Sequence, residues 1–260
     1  MSAITPYNIA ADPVIHMLIA EATADADVIG LVLMGSRSVE VVTPESDYDV
    51  YFVVTDEAMA RYDQQGRPPH GGAVDPPIDT TDLFTVAIGM LRRESVAAWT
   101  LSTWADARIL YERDGATTRA VEALRYMAED EARAQVAEWY DTYLNALFRS
   151  LKSWRRGNLL GGRLEAVESI DALLRTLYAL ERRWRPYSSR LSVHLHKLAG
   201  QGWDADELRS LLLSLAATGD PGLQQQVARR VVALLRDRGF DHVVQEWHGQ
   251  IEQALGWTFT

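Results

Sequence analysis

The sequence predicts an α+β protein in which a small mixed sheet is followed by an α-helical bundle. In the first half, short β-branched runs typical of strands alternate with turn residues: "VIGLVLM", "YDVYFVV" and "LFTVAIGML". A helix is predicted before them, around "PVIHMLIAEATADA". From Asp114 and Gly115 onward, apolar residues recur at helical spacing, most clearly in "LEAVESIDALLRTLYALERRW". We therefore predict two domains, residues 1–115 and 116–260.

Within the helical half, one segment defines the expected buried face. Its apolar residues fall on a single stripe: Leu164, Val167, Ile170, Leu174 and Leu177. We expect about five helices to pack in this way. The segment "QQGRPPHGGAVDPP" in the first half is dense in Gly and Pro, and it is predicted to be a loop.

Composition excludes several function classes. The 260-residue chain has a formal charge of -10, which argues against a DNA partner because DNA-binding surfaces are usually basic. No apolar run approaches the roughly 20 residues of a membrane-spanning helix, and the N-terminus lacks the basic start of a secretory signal. Cys is absent, which excludes disulfides and thiolate metal sites. We expect a cytoplasmic protein with no membrane partner.

Two aspartates one residue apart lie at the head of the second predicted strand. Alternate side chains of a strand point to the same side, so Asp47 and Asp49 are expected to project together with Cα atoms roughly 6.5 Å apart. Two carboxylates at that separation repel each other unless a cation is present. Mg²⁺ prefers one or two carboxylates together with phosphate oxygens and water. An isolated D-x-D is more often a solvated strand edge or an Asx turn.

A glycine-serine turn precedes this pair. The apolar run from Val28 to Met34 ends at Gly35 and Ser36, where the missing Cβ lets the backbone approach a ligand, and N–H groups and a hydroxyl can hold phosphate. Ser46 is positioned to cap the strand entry or to bond a carboxylate. The combination of turn, spacer and S-D-x-D is a much narrower pattern than D-x-D alone.

Read in order, "MGS", "RSVEVVTPES" and "DYDV" resemble the signature of the DNA polymerase beta-like nucleotidyltransferase superfamily. That signature is an apolar residue, G-S or G-G, a spacer of about ten residues, and D-h-[DE]-h. The layout is most similar to stand-alone bacterial enzymes, including the aminoglycoside and lincosamide nucleotidyltransferases. The close family form often has A-R-G after the turn, whereas "SRSVE" lacks that glycine.

The resemblance implies a set of site residues. Asp47 and Asp49 would be catalytic metal ligands, and a third carboxylate is expected on a neighbouring strand. Asp82 at the head of "TDLFTVAIGMLRRE" is our choice, with Asp79 as the alternative because the pleat alone does not fix the register. The predicted nucleotide-binding residues are Gly35, Ser36, Arg37 and Ser46.

The general base has a second possible location, on the helical half. Related small-molecule enzymes draw a base from outside the sheet, which makes Glu168 or Glu165 a candidate. The competing interpretation is a solvated, salt-bridged face, since Glu168, Asp171 and Arg175 share one side of the predicted helix.

The function implied is Mg²⁺-dependent transfer of a nucleoside monophosphate, AMP from ATP, to a hydroxyl of a small-molecule acceptor such as an antibiotic, with release of pyrophosphate. Two alternatives stay open: transfer to a protein or an RNA, and a non-enzymatic nucleotide-binding module. The acceptor, the base preference and the oligomeric state are not set by the sequence.

Cations concentrate in "KSWRRGNLLGGR" and "ERRWRPYSSR". An anion site and helix C-termini that offset the macrodipole both explain such clusters. The residues concerned are Lys152, Arg155, Arg156, Arg182, Arg183, Arg185 and Arg190.

Overall fold

The computed structural model describes residues 5–43, 46–66, 81–247 and 249–259; at residues 5, 6, 81 and 82 it describes the backbone alone. The chain forms two compact units, residues 1–126 and 127–260. A mixed sheet with flanking helices makes the first unit, and helices make the second. The predicted α+β class, a small mixed sheet followed by a helical part, is confirmed.

The strands of the first unit form two sheets. They are β1 (Thr5–Pro6), β2 (Val28–Leu33), β3 (Val41–Val42), β4 (Tyr48–Val54), β5 (Thr81–Ala87) and β6 (Arg108–Glu112). The larger sheet has the order β5-β4-β2-β6, in which β5 is parallel to β4 and the other neighbours are antiparallel. β1 and β3 pair separately. All three predicted strands are present, and β2, the most apolar of them, is buried along its whole length.

The helices of the first unit flank this sheet: α1 (Pro13–Ala24), α2 (Gly35–Ser38), α3 (Asp56–Gln65), α4 (Leu101–Ala105) and α5 (Ala116–Arg125). α1 begins where Asp12 caps the N–H groups of Val14 and Ile15. α3 includes Gln64 and Gln65, the start of the predicted loop; residues 67–77 of that loop lie outside the described residues. Thr55 is the N-cap of α3, and its side chain accepts a hydrogen bond from the N–H of Ala58. Gly66, in the left-handed conformation, is the C-cap.

The division between the units lies after α5, later than residue 115. A Cβ at Gly30 of β2 would lie 2.2 Å from Thr117 Oγ1, so α5 packs directly on the sheet. Glu112 accepts hydrogen bonds from the N–H groups of Gly115 and Thr118, which fixes the start of the helix. Helical periodicity begins near residue 115, but the packing of α5 makes it part of the first unit.

The second unit contains four long and three short α-helices in its described part: α6 (Glu129–Arg155), α7 (Leu159–Leu180), α8 (Leu191–His194), α9 (Ala205–Thr218), α10 (Pro221–Asp237), α11 (Asp241–Gln245) and α12 (Gln250–Leu255). Short 3-10 segments complete the chain at Ile9–Ala11, Ile88–Met90, Ala98–Thr100, Ser188–Arg190 and Leu195–Gln201.

The predicted stripe on α7 is correct only in its C-terminal half. Leu174 and Leu177 are fully buried, whereas Leu164 is 62% exposed and Val167 46% exposed. Small residues form the buried face of the N-terminal half, including Gly162 and Ala166. At Gly162 a Cβ would lie 2.7 Å from the Trp154 ring of α6, so close approach of the two helices requires glycine there.

Among the described residues, no helix has the length and apolar character needed to cross a membrane.

Candidate functional site

The turn after β2 touches the second aspartate of the D-x-D pair. Gly35 has φ +75°, which favours glycine, and a Cβ built on it would lie 1.9 Å from Asp49 Oδ2. The neighbouring Met34 N–H donates to the carbonyl of Asp49 at 2.8 Å. The structure therefore brings together two residues predicted from sequence, Gly35 and Asp49, and explains why the first has no side chain.

The two aspartates lie at the entry to β4. Asp47 immediately precedes the strand and Asp49 is its second residue, and both are partly exposed. Val50 and Phe52 on the opposite side are fully buried, as the alternation predicts. Within the described part of the chain, Asp47 forms no ion pair with a cationic side chain. Its carboxylate is thus available to a ligand.

Position 82 lies beside the pair. β5 runs parallel to β4 with Asp82 in register with Asp49, so the two positions are neighbours on adjacent strands. Asp79, the alternative, lies outside the described residues. Among the residues whose side chains are described, no group of three His, Asp or Glu is placed to hold a metal ion. Asp82 is not one of those residues. Asp47 and Asp49 supply two carboxylates at the head of β4, and carboxylates are ligands that Mg²⁺ prefers.

Arg37 makes its contacts inside the protein. Its Nε donates to the carbonyl of Asp47 at 2.8 Å and its Nη2 to the carbonyl of Ser46 at 2.9 Å. The guanidinium carbon lies 3.7 Å from the centre of the Tyr48 ring, and the side chain is 12% exposed. Arg37 therefore holds the backbone that carries Asp47. This positioning contact was not foreseen from the sequence, which placed Arg37 among the nucleotide-binding residues.

A buried carboxylate completes this network. Asp12 accepts hydrogen bonds from the hydroxyls of Tyr7 at 2.8 Å and Tyr48 at 2.9 Å, and it lies 3.8 Å from Arg37 Nη1. Burial by itself raises the pKa of Asp12, but the bonds from Tyr7, Tyr48 and the backbone N–H groups of Ile15 and Val14 outweigh it and hold the pKa below its usual value.

The same contacts act on the two phenols. Burial, followed by the hydrogen bond to Asp12, raises the pKa of Tyr48 to about 12 and raises that of Tyr7 as well. The sequence analysis missed this cluster. The Asp12-Pro13 pair signals a helix cap, yet nothing in the local pattern indicates its two phenolic partners.

The two serines differ in their surroundings. Ser46 Oγ accepts from the N–H of Thr43 at 2.9 Å, which closes the turn before β4. This contact corresponds to the role of capping the strand entry and not to a hydrogen bond with a carboxylate. Ser36 is partly exposed in α2, next to Gly35.

The glutamates proposed as alternative bases lie on α7 in the second unit and are paired. Arg149 of α6 lies 2.7 Å from Glu165 Oε2 and 3.5 Å from Glu168 Oε1. The hydrogen bond that Arg149 donates to Glu165 is the main reason that the pKa of Arg149 is raised. Asp171, on the same helix, binds Arg175 at 2.6 Å and Arg185 at 2.9 Å. These contacts match the salt-bridged face that was the competing interpretation.

Comparison with known proteins gives a family match and a structural similarity. Residues 94–190 match a family model described as a domain of unknown function, DUF4037. The crystal structure of a nucleotidyltransferase-like protein from Exiguobacterium sibiricum 255-15 aligns with 92% of this chain and 76% of that chain, at 14% sequence identity and a TM-score of 0.41. No curated protein matches the chain. The family match does not include the turn at Gly35 or the D-x-D pair.

Proposed function

We propose that the first unit is the catalytic domain of a Mg²⁺-dependent nucleotidyltransferase. One observation carries the proposal: the glycine turn and the D-x-D strand are in contact, with Asp49 Oδ2 occupying the space that a Cβ at Gly35 would need. A turn suited to phosphate and a carboxylate pair suited to a divalent cation are thus joined at one point. A nucleoside triphosphate bound with its metal would offer phosphate oxygens to the turn and a cation to the carboxylates.

Each residue has a role in this proposal. Gly35 and Ser36 hold the triphosphate through backbone N–H groups and the hydroxyl, and Asp47, Asp49 and Asp82 hold the metal. Bound Mg²⁺ would neutralise charge on the phosphates and on the entering and leaving oxygens. Arg37 keeps the Asp47 backbone in place through its two bonds to carbonyl oxygens.

The reaction proposed is an in-line displacement at the α-phosphorus. A hydroxyl oxygen of the acceptor forms a bond to that phosphorus, the bond to the bridging oxygen between the α- and β-phosphorus breaks, and pyrophosphate leaves with the electron pair. The hydroxyl proton passes to a carboxylate, for which Asp82 is our choice. ATP is the expected donor and AMP the transferred group.

The acceptor we propose is a small molecule bearing a hydroxyl, such as an aminoglycoside or lincosamide. The net charge of -10 supports a small cationic acceptor over a nucleic acid, because an acidic protein repels polyanions. Transfer to a protein or an RNA is the second candidate.

The test is to incubate the protein and Mg²⁺ with each α-labelled nucleoside triphosphate and a panel of aminoglycosides, lincosamides, RNA and proteins. Transfer of label with release of pyrophosphate is expected for one acceptor class. Gly35→Val should weaken triphosphate binding measured by calorimetry, since a branched side chain displaces Asp49 and blocks the backbone. Unchanged affinity in that variant would refute the role of the turn.

Asp63→Asn is the matched control for this test. Asp63 is an exposed residue of α3 whose side chain is not used by the proposed site. Its replacement should leave both label transfer and nucleotide affinity unchanged. If no nucleotide is transferred to any acceptor while ATP and Mg²⁺ still bind, the non-enzymatic nucleotide-binding module is the better description.

A further inference from the structure

Three cations of the second unit lie side by side at the end of α6. Seven of the fifteen arginines of this unit are seen with a carboxylate partner: Arg149, Arg175, Arg185, Arg209, Arg230, Arg236 and Arg238. In contrast, Lys152, Arg155 and Arg156 make no ion pair with any described residue. The chain carries 36 acidic and 26 basic residues, so acidic partners are abundant. Three exposed charges side by side repel one another weakly, and an anion bound between them would relieve that repulsion.

These three side chains share a cavity of about 370 Å³ with the Trp257 ring. Lys152, Arg155 and Arg156 lie at i, i+3 and i+4 in the last turn of α6 and its C-cap, and therefore on one side of the helix. Trp257 follows α12 and forms the aromatic part of the wall. Cavities of roughly 300–1,000 Å³ hold small ligands, so the space suits a molecule of nucleotide size.

The aromatic wall is held in place by buried contacts. The buried amide of Gln225 donates to the carbonyls of Ala254 at 2.8 Å and Trp257 at 2.9 Å. Phe148 of α6 meets the Trp257 ring edge to face at a centroid distance of 6.1 Å. The indole is therefore presented by a fixed backbone, which lowers the entropy lost when a ring stacks on it.

Arg155 is oriented without being neutralised. Its guanidinium carbon lies 4.6 Å from the centre of the Trp257 ring, and Lys152 Nζ lies 5.5 Å from that of Phe148. A cation over an aromatic face keeps its full charge and its N–H donors for another partner. Helix-dipole compensation accounts for cations at the end of α6 but not for the aromatic cavity beside them.

We propose that this cavity binds a nucleotide, with its phosphates on Lys152, Arg155 and Arg156 and its base against Trp257. The three side chains supply charge-assisted donors directly, so binding requires no divalent cation. The site is carried entirely by the second unit, and the proposal does not depend on nucleotidyl transfer by the first.

Calorimetric titration of the whole protein with ATP in EDTA tests the site. The triple variant Lys152→Gln, Arg155→Gln, Arg156→Gln should weaken binding about tenfold or more, because each lost charge-assisted bond costs up to that factor. The control Arg209→Gln, Arg236→Gln, Arg238→Gln removes the same charge from paired arginines and should change the affinity less than about twofold. Repeating the titrations in an Asp47→Asn, Asp49→Asn background removes any contribution of the first unit.

The base contact is tested with inorganic triphosphate as the second probe. Trp257→Leu should weaken the binding of ATP several-fold more than that of inorganic triphosphate, since the latter has no ring. Equal weakening of both probes, or equal effects of the two triple variants on ATP, would overturn the proposal, as would no ATP binding by the natural protein in EDTA up to about 1 mM. Thermal melts of each variant distinguish lost binding from lost folding.

Discussion

The glutamates of α7 and Asp47 at the head of β4 differ in whether an arginine side chain pairs with the carboxylate. On α7, Glu165 and Glu168 both face Arg149, at 2.7 and 3.5 Å. At the head of β4, Arg37 donates to the backbone carbonyls of Ser46 and Asp47 and forms no ion pair with the Asp47 carboxylate. A glutamate pair that faces its own arginine is a structural ion pair, whereas Asp47, which forms no ion pair with a described cationic side chain, is suited to an external cation. This difference favours the strand over the helix as the location of the chemistry.

The largest expected effect tests the strand pair directly. Asp47→Asn or Asp49→Asn should abolish nucleotidyl transfer, a loss of at least about 10³-fold, because each removes a charge from the proposed metal site. The fold should persist, and the melting temperature without Mg²⁺ should be equal or higher because mutual repulsion is reduced. Turnover near the natural rate at saturating Mg²⁺, in either variant, would contradict the metal assignment.

The next effect compares the two units. Asp82→Asn should lower the single-turnover rate by about 10² to 10⁴, whereas Glu168→Gln should do little because Glu168 is an exposed partner of Arg149. The two variants are matched, since each exchanges one carboxylate for its amide. The reverse result would move the base to α7. If neither rate falls more than about tenfold, Asp79 and Glu165 are the residues to test next.

The local sequence pattern was sufficient to predict β4 and the turn at Gly35. Alternation predicted β4 with Val50 and Phe52 inward, and the turn at Gly35 followed from an abrupt end to an apolar run. The predicted apolar stripe was wrong for the N-terminal half of α7. There the helix packs on α6 through Gly162, which lies against the Trp154 ring, and Leu164 is exposed instead of buried.

The sequence also did not reveal the direction of Arg37. Its partners are backbone carbonyls nine and ten residues away and the ring of Tyr48. Periodicity describes which face a side chain lies on, but not which carbonyl a guanidinium reaches across a loop. The contact between Gly35 and Asp49 is similar, since both residues were predicted for the site but their touching depends on the antiparallel pairing of β2 and β4.

A smaller effect distinguishes positioning from nucleotide contact at Arg37. Arg37→Gln should lower kcat about tenfold to a hundredfold by releasing the Asp47 backbone, with little change in the KM for the nucleotide. It should also lower the free energy of unfolding by about 1–3 kcal/mol, because two partly buried carbonyls lose charged donors. A raised KM with unchanged kcat would instead make Arg37 a phosphate ligand, as the sequence analysis expected.

The smallest effect concerns the Asp12 cluster that supports this positioning. The pKa of Asp12 is lower in the folded protein than the roughly 3.9 of an unfolded chain, so its stabilisation is present above about pH 4 and is lost as pH falls through the folded value. The contribution of Tyr48 to stability has the opposite pH dependence. Its pKa is raised to about 12, so its contribution is complete below about pH 10 and is lost as pH rises towards 12.

The side chains that contact Asp12 are those of Tyr7, Tyr48 and Arg37. Urea unfolding measured across both pH ranges tests whether stability falls at low pH and at high pH as expected. Asp12→Asn should lower the free energy of unfolding by about 1–2 kcal/mol at neutral pH, because the carboxylate that accepts from the two phenols is gone. It should also reduce the fall in stability below about pH 5, called here the acid limb of the curve. Tyr48→Phe should reduce the fall in stability at alkaline pH, because the titrating phenol is gone. Much of the fall at acid pH should remain, because Tyr7 still donates to Asp12. An acid limb unchanged by Asp12→Asn would mean that other carboxylates set the acid stability and that Arg37 is held by its carbonyl and ring contacts alone.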